Sequence, residues 1–438
     1  MTADTTNGTP RAAAGAPPPT GVAAADRALA PDLARGLMLL LIAASNTAFH
    51  LWKSTTYGPS GWQPVNGGPL DHAAQFAMIT VLDLRVYPLF AFLFGYGMTQ
   101  LFLRQTAAGA SERDAVRLLR RRSLLLVPIG LTHATLLMAG DIVGYYGVMS
   151  LVVGWLFLRR SERALLWWAG ASALLALVVT LGPTVTALLQ GDVGSLGDPD
   201  TEPGAAAYAA DEHSWAAATA TRFKTGLFVT FAAAPLSLVG GGTLVFLLGF
   251  WAARRRILED PGRHLRLLRR TAVVGVAVGW LGALPAALAH VGALDVPDDA
   301  QSEGGALTAL RDATGSAGGL GYVAAVALFV HWWTRRPRRR GNLAVTAVSA
   351  VGKRSLSCYL THSLLFAPLL SAWGLGLGAH LSSATMVLFA TGVWLVTVAG
   401  ALALERWGLR GPAEAVLRRA MYGRGPSRGA PDPPLSRN

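Results

Sequence analysis

The chain has 438 residues, of which 52% are hydrophobic and only 14% are charged, and its formal net charge is +13. An ordinary soluble domain carries about 25% charged residues, so the composition excludes that class. The basic residues fall in short clusters between apolar stretches, which is typical of a membrane protein and not of a nucleic-acid-binding protein. We therefore expect membrane lipid, and no nucleic acid, as a partner.

The first 30 residues are rich in Ala, Gly, Pro and Thr and contain no apolar segment, which predicts a disordered cytoplasmic tail. Beyond this tail, apolar stretches long enough to cross a bilayer recur along the chain. Ten spans are predicted, near residues 33–52, 72–103, 123–139, 142–158, 164–190, 226–253, 271–290, 316–334, 343–371 and 384–404. The predicted fold class is an all-α, polytopic transmembrane bundle over residues 31–404, followed by a basic cytoplasmic tail over 405–438.

Arginine clusters occupy every second connection between the predicted spans, whereas the other long connections are acidic. Clusters follow spans two, four, six and eight and recur in the C-terminal tail, and acidic residues follow spans five and seven. Basic loops stay in the cytoplasm. The alternation therefore predicts a multi-pass protein of the cell (inner) membrane with both termini in the cytoplasm.

The second span is too long for one straight crossing, and it contains Asp83, Arg85 and Pro88. Proline removes a backbone donor and kinks a helix, and charged side chains avoid lipid. We expect a broken or strongly tilted helix here, with Asp83 and Arg85 facing protein or water.

A few polar side chains lie within or near the spans, where they are costly and are often functional. They are Asp32, Arg35, Asn46, His50, His72, Asp83, Arg85, His133, Asp141 and His362. Each also has a purely structural explanation, such as a helix cap, a snorkelling side chain, an ion pair or a hydrogen bond between helices. No metal site is expected, and the single cysteine, Cys358, is too isolated to form one.

His133 is the strongest candidate for a general base, since histidine titrates near neutral pH and a carboxylate can orient it. Asp141 follows eight residues later, about 12 Å along a helix axis, so direct contact is not expected. Instead we expect His133 to face an internal cavity, with Asp141 at the outer mouth and Asn46 on the facing helix.

Five stretches, in order, resemble the YeiB-type integral membrane family, whose C-terminal half is a domain of unknown function. They are "DLARGLMLLLIAASN" from Asp32, "DLRVYPLFAFLFGYG" from Asp83, "RRRSLLLVPIGLTHATLLMAGDIVGYYGVM" from Arg120, "AVGKRSLSCYLTHSLL" from Ala350, and the tail "ERWGLRGPAEAVLRRAMYG". The resemblance covers nearly the whole chain after Arg27.

This family is distantly similar to transmembrane acyltransferases, which include heparan-alpha-glucosaminide N-acetyltransferase and the acyltransferase-3 proteins. In the former, a histidine at the outer face precedes a stretch like "DLVFPWFVFIMG"; here His72 precedes "DLRVYPLFAFLFG". The resemblance implies transfer of an acyl group from a cytoplasmic thioester to a small-molecule acceptor at the outer face.

Under this hypothesis the donor is acetyl-CoA or another acyl-CoA. Its phosphates would bind arginines at the cytoplasmic side, which are Arg35, Arg120, Arg121 and Arg122. His133 is the first choice for the base and His72 the second, with Asp141 as a partner.

Two other functions remain open. A small-molecule transporter or exporter would use the buried Asp83, Arg85 and His133 as its path, although no internal repeat is visible. A scaffold or sensor would pair its buried polar groups fully and leave no cavity. A cytoplasm-facing pocket that is lined by arginines and runs to His133 would favour the enzyme, and two pseudo-symmetric halves around Asp83 would favour the transporter.

Overall fold

The computed structural model describes residues 29–53, 57–60, 62–191, 204–239, 241–336 and 342–423. Its helices are α1 (Leu29–Ser45), α2 (Pro69–Ala77), α3 (Val86–Ala107), α4 (Glu112–Leu136), α5 (Ile142–Phe157), α6 (Glu162–Gln190), α7 (Trp215–Phe228), α8 (Ala234–Leu236), α9 (Gly242–Arg254), α10 (Leu265–His290), α11 (Asp298–Gln301), α12 (Ala306–Thr334), α13 (Leu343–Lys353), α14 (Ser355–Leu370), α15 (Ser383–Arg406) and α16 (Pro412–Tyr422). The described residues contain no β-strand beyond one isolated bridge, so the predicted all-α fold is confirmed. The predicted N-terminal tail up to residue 28, and the C-terminal tail from 424, lie outside these ranges.

Within the described ranges, ten apolar helical stretches account for the membrane character. Six are long enough to cross a bilayer: Leu29–His50, Pro69–Ala107, Glu162–Gln190, Pro261–His290, Asp298–Thr334 and Ser383–Arg406. Four are shorter: Ile142–Phe157, Gly242–Arg254, Leu343–Lys353 and Ser355–Leu370. In the most apolar part of α6 only 17% of the residues are buried inside the protein, which is the expected state of a helix that faces lipid.

The second predicted span is broken, as the sequence predicted. It consists of α2, a π-helical turn over Met78–Leu82, a turn at residues 83–85, and α3. Pro88 is not the cause, because it lies in the first turn of α3, where a missing N–H is harmless. The break follows from Leu84, which has a φ of 61°. The guanidinium of Arg85 then donates to the freed carbonyl oxygen of Asp83 and, at 2.5 Å, to that of Gly279.

Three other predicted spans have different bounds. α4 begins at Glu112, eleven residues earlier than predicted, because the Ser111 hydroxyl caps it by accepting from the Asp114 N–H at 3.2 Å. The predicted span 226–253 is two helical stretches that meet near Gly241, whose φ is 93°. The predicted span 343–371 is divided at Arg354, where the backbone leaves the helical conformation.

The arginine-bearing helix ends meet on one side of the bundle, which we call the basic side. Arg254 at the end of α9 donates to the carbonyl oxygen of Arg160, just beyond α5, at 2.5 Å. Lys353 at the end of α13 contacts Glu405 at the end of α15, also at 2.5 Å. The predicted tail also contributes to this side, since α16 packs against α4 and α14.

Candidate functional site

A cavity of about 1120 Å³ extends from the basic side into the bundle. Near the basic side it is lined by Arg104, Arg410 and Arg418, and at its inner end by Ile142 and Tyr359. α5 runs towards the basic side from Ile142, so the cavity reaches the level at which this helix begins. The bundle is therefore open to a large ligand from one side.

Positive charge predominates in the cavity wall. Its basic side chains are Arg35, Arg104, Arg122, Lys353, Arg354, Arg410 and Arg418, and its acidic ones are Asp32, Glu405 and Glu414. Each acid is already engaged. Asp32 pairs with Arg35 at 3.3 Å, and Glu405 pairs with Lys353 and with Arg354 at 2.5 and 2.7 Å. The Glu414 carboxylate accepts from the Leu356 and Ser357 N–H groups at the start of α14, at 2.8 and 3.2 Å.

Arg122 is a cavity arginine that lies deeper than the helix ends and is stacked on an aromatic ring. Its guanidinium lies 4.7 Å from the centre of the Phe94 ring. Within the described part of the chain, no acidic side chain forms an ion pair with it. A planar guanidinium stacked on an aromatic ring is well placed to bind a phosphate.

A buried histidine–carboxylate pair lies behind the inner end of the cavity. His133 Nδ1 is 2.8 Å from Asp141 Oδ1, and both side chains are at most 2% exposed. The sequence-based expectation that these residues cannot touch was wrong, and Asp141 is buried and not at an outer mouth. The expectation assumed that the helix continues from His133 to Asp141, whereas α4 ends at Leu136 and the chain folds back.

The tight turn between α4 and α5 creates this contact. Asp141 caps α5, because its Oδ2 accepts from the Gly144 N–H at 2.6 Å, while its other oxygen faces His133. Gly130 lets the two helices approach closely, since a Cβ atom there would lie 2.0 Å from the backbone nitrogen of Gly144. The two glycines and the cap thus fix the position of the carboxylate.

His133 Nε2 is buried and has no hydrogen-bond partner among the described residues. A histidine whose Nδ1–H donates to a carboxylate carries no proton on Nε2 when neutral. We infer this tautomer from the partner of Nδ1. The pair therefore offers a free lone pair that can act as a base.

Tyr359 separates the cavity from the pair. Its ring lines the cavity, and the ring centre lies 5.0 Å from that of His133. Its hydroxyl donates to Asp141 Oδ1 at 3.5 Å and accepts from the Ile142 N–H at 3.3 Å. His133 itself does not line the cavity, so a ligand in the cavity reaches Nε2 only if Tyr359 moves.

The comparisons with known proteins agree with the resemblance that the sequence suggested. A family model described as a protein of unknown function (DUF418) matches residues 252–424. "Uncharacterized protein YeiB" of Escherichia coli (strain K12) is 27% identical over 405 residues, which cover 90% of this chain and 96% of that protein. The predicted resemblance to the YeiB-type family is confirmed.

A second relative extends this likeness. "Uncharacterized protein YxaH" of Bacillus subtilis (strain 168) is 25% identical over 364 residues, or 80% of this chain and 83% of that protein. No solved structure matches the chain significantly. The family model includes Arg354, Tyr359 and Glu414, whereas His133 and Asp141 precede the matched residues.

The arginines that were predicted to bind the donor divide into two groups. Arg35 and Arg122 line the cavity, as does Asp32. Arg120 and Arg121 are exposed on α4 and do not line it. Arg120, Arg121 and Arg122 are consecutive on α4 and point in different directions, so only one of the three lies towards the cavity.

The remaining predicted residues lie away from the cavity. His72 is half-buried near the start of α2, and Asn46 follows α1 without a hydrogen bond to His133. Asp83 accepts from the Gln63 amide at 3.3 Å, and Arg85 is fully buried against backbone carbonyls. His362 is buried against Thr397, with Nε2 3.2 Å from the hydroxyl oxygen. The described residues contain no group of three or more side chains that could hold a metal ion.

Sequence reasoning missed Tyr359, Arg354 and Glu414. Tyrosine carries no charge and is enriched at the ends of membrane spans, so Tyr359 gave no signal apart from its place in the stretch "AVGKRSLSCYLTHSLL". Arg354 was taken for part of a continuous span, and Glu414 for part of a tail. A signal existed for Glu414, because an acidic residue in a basic tail can cap a helix start.

Proposed function

We propose that this YeiB-type chain is a transmembrane acyltransferase that moves an acyl group from a cytoplasmic acyl-CoA to an acceptor at the outer face. The observation that carries the proposal is the cavity, which connects Arg122 with Tyr359, whose hydroxyl contacts the His133–Asp141 pair. The basic side is then the cytoplasmic side, in agreement with the positive-inside rule.

The dimensions of the cavity suit a donor of this size. Sites for drug-sized molecules occupy about 300–1,000 Å³, and this cavity of about 1120 Å³ is larger. Arg122 and His133 are eleven residues apart on α4, or about 16 Å along the helix axis. This distance is comparable with the extended pantetheine arm that joins the phosphates of coenzyme A to its thioester.

The chemistry requires a base and a group that stabilises its protonated form. His133 Nε2 takes the proton from the acceptor hydroxyl or amine while the acceptor oxygen or nitrogen attacks the thioester carbonyl carbon. The carbon–sulfur bond breaks, and the imidazolium returns the proton to the thiolate of coenzyme A. The Asp141 carboxylate stabilises the imidazolium and keeps Nε2 directed towards the substrates. Tyr359 must rotate to admit the thioester.

The transporter hypothesis has less support. Neither Asp83 nor Arg85 lines the cavity, and Arg85 is held by two backbone carbonyl groups. A scaffold would leave no cavity of this volume. The enzyme is therefore the function that these residues support best.

The test uses membrane vesicles from cells that produce the protein, because such vesicles retain acceptors at the membrane surface. Acetyl-CoA is added, and a thiol reagent measures the coenzyme A that is released. Inside-out vesicles should release coenzyme A, whereas sealed right-side-out vesicles should not. His133→Gln should abolish release, and the control Arg120→Gln should leave it unchanged because Arg120 is exposed on α4. Equal release by wild type and His133→Gln would contradict the proposal.

A further inference from the structure

A second group of buried polar atoms lies beyond the last turn of α4, on the far side of His133 from the cavity. Arg222 on α7 is 1% exposed. Its guanidinium donates to the carbonyl oxygens of Thr135 and Leu136, at 3.2 and 3.4 Å, and to the Thr219 hydroxyl at 3.3 Å. No ion pair within the described ranges includes Arg222. A buried cation with no acidic partner is costly.

Two neighbours of Arg222 also carry buried polar atoms without partners. His50 is 3% exposed, and neither of its ring nitrogens has a hydrogen-bond partner in the described structure. It lies close enough to Arg222 for an electrostatic interaction. The Trp373 ring centre is 5.7 Å from the guanidinium, and its indole N–H is likewise buried and unpartnered.

Helix capping explains only part of this arrangement. An arginine at a helix C-terminus satisfies its last carbonyl groups, and the partial negative charge there favours a cation. It does not explain His50 or Trp373, since each buried polar group without a partner costs about 1–3 kcal/mol. A bound ligand would give His50 and Trp373 hydrogen-bond partners and would balance the charge of Arg222.

The types of these side chains define the ligand. Arg222 and the Trp373 indole only donate, so they select an anionic oxygen. A neutral His50 offers one donor and one acceptor, and its acceptor nitrogen can accept a hydrogen bond from a hydroxyl group. We propose that Arg222, His50 and Trp373 bind a small hydroxylated anion, either a carboxylate or a phosphate, on the outer side of the His133–Asp141 pair.

The position of the site suggests that this anion is the acyl acceptor. Thr135 and Leu136 follow His133 by two and three residues, so Arg222 lies within about one helical turn, or 5.4 Å along the axis, of the base. In an anion with two hydroxyl groups, one hydroxyl donates to His50 and the other lies on the side of Nε2. The acceptor role rests on the proposed acyl transfer, whereas the binding of the anion does not.

The experiment measures thermal unfolding of the purified full-length protein, without acyl-CoA and at constant ionic strength. The anionic probes are glycerol 3-phosphate and lactate, and glycerol is the neutral control. Both anions should raise the melting temperature at concentrations at which glycerol has no effect, because a ligand that binds the folded state stabilises it. Arg222→Gln and His50→Leu should each raise the anion concentration needed for a given shift by about tenfold or more. The His50 ring makes no hydrogen bond within the described structure, so His50→Leu decides the test if Arg222→Gln does not fold.

Arg122→Gln is the matched control, because an anion could also bind in the cavity. The anion-dependent shift should persist in Arg122→Gln. A shift that disappears in Arg122→Gln and survives in Arg222→Gln would overturn the proposal, as would an equal shift with glycerol or no shift at all. Arg222→Gln should still be stabilised by acetyl-CoA in thermal unfolding, but it should lose transfer in the coenzyme A release assay. Donor binding that is lost as well would contradict the acceptor role.

Discussion

The exchange of Asp141 for asparagine tests the catalytic pair while largely preserving the fold. The Asp141 carboxylate accepts from His133 Nδ1 at 2.8 Å, from the Gly144 N–H at 2.6 Å and from the Tyr359 hydroxyl at 3.5 Å. Asparagine keeps an oxygen that can cap α5, and Asn and Asp are equally good caps. Its amide nitrogen, however, would face His133 and favour the tautomer with the proton on Nε2.

The expected loss follows from these contacts. A hydrogen bond to a charged group contributes about 1.5–3 kcal/mol, which corresponds to a factor of about 10–150 in rate. The wrong tautomer adds to this, and in a Ser-His-Asp triad the same change lowers kcat by about 10⁴. We therefore expect Asp141→Asn to slow coenzyme A release by about 10²–10⁴ and to change the melting temperature little.

The assay compares coenzyme A release and thermal unfolding for wild type, Asp141→Asn and Asp141→Ala. The alanine variant should lose about 1 kcal/mol more stability, because it also removes the cap. His133→Ala is a poorer test, since it leaves the Asp141 charge buried and unpaired, which typically costs about 3–5 kcal/mol. Release by Asp141→Asn within about threefold of wild type would refute the role of this pair.

Three further predictions concern the cavity. Tyr359→Phe removes the hydroxyl bond to Asp141 but keeps the ring, so kcat should fall about tenfold with an unchanged KM for the donor; a change in KM alone would contradict this. Arg122→Gln should weaken acyl-CoA binding by about tenfold or more, whereas Arg120→Gln on the same helix should not. Equal losses of affinity when the two variants are titrated with acyl-CoA would exclude a specific phosphate contact. Glu414→Ala removes the cap of α14, so it should lower the stability by about 1 kcal/mol and make α16 accessible to trypsin. Unchanged digestion by trypsin would show that Glu414 does not hold α16 in place.

The membrane class and the all-α fold could be predicted from the sequence because hydropathy and arginine placement depend on composition alone. The break in span two was also predictable, although its cause was not. Pro88 is the visible signal, but the chain leaves the helix at Leu84, and the carbonyls that Arg85 binds lie far apart in sequence.

The candidate site could be predicted only in part, since it depends on where one helix ends. His133 and Asp141 were both identified, but their contact arises because α4 ends at Leu136 and Gly130 allows α5 to approach. Helix ends are the least reliable part of a sequence-based prediction. The cavity was not predictable, because α3, α4, α14 and α16 contribute to its wall from distant parts of the chain.

Binding of acyl-CoA to the cavity is the central claim, and thermal unfolding with acetyl-CoA tests it most directly. A ligand that binds only the folded state stabilises it by about 2.7 kcal/mol at 100 times its Kd. We predict a saturable rise in melting temperature with acetyl-CoA, a smaller rise with pantetheine, which lacks the phosphates, and a weakened response in Arg122→Gln. A melting temperature that does not change with acetyl-CoA at any concentration would contradict the account.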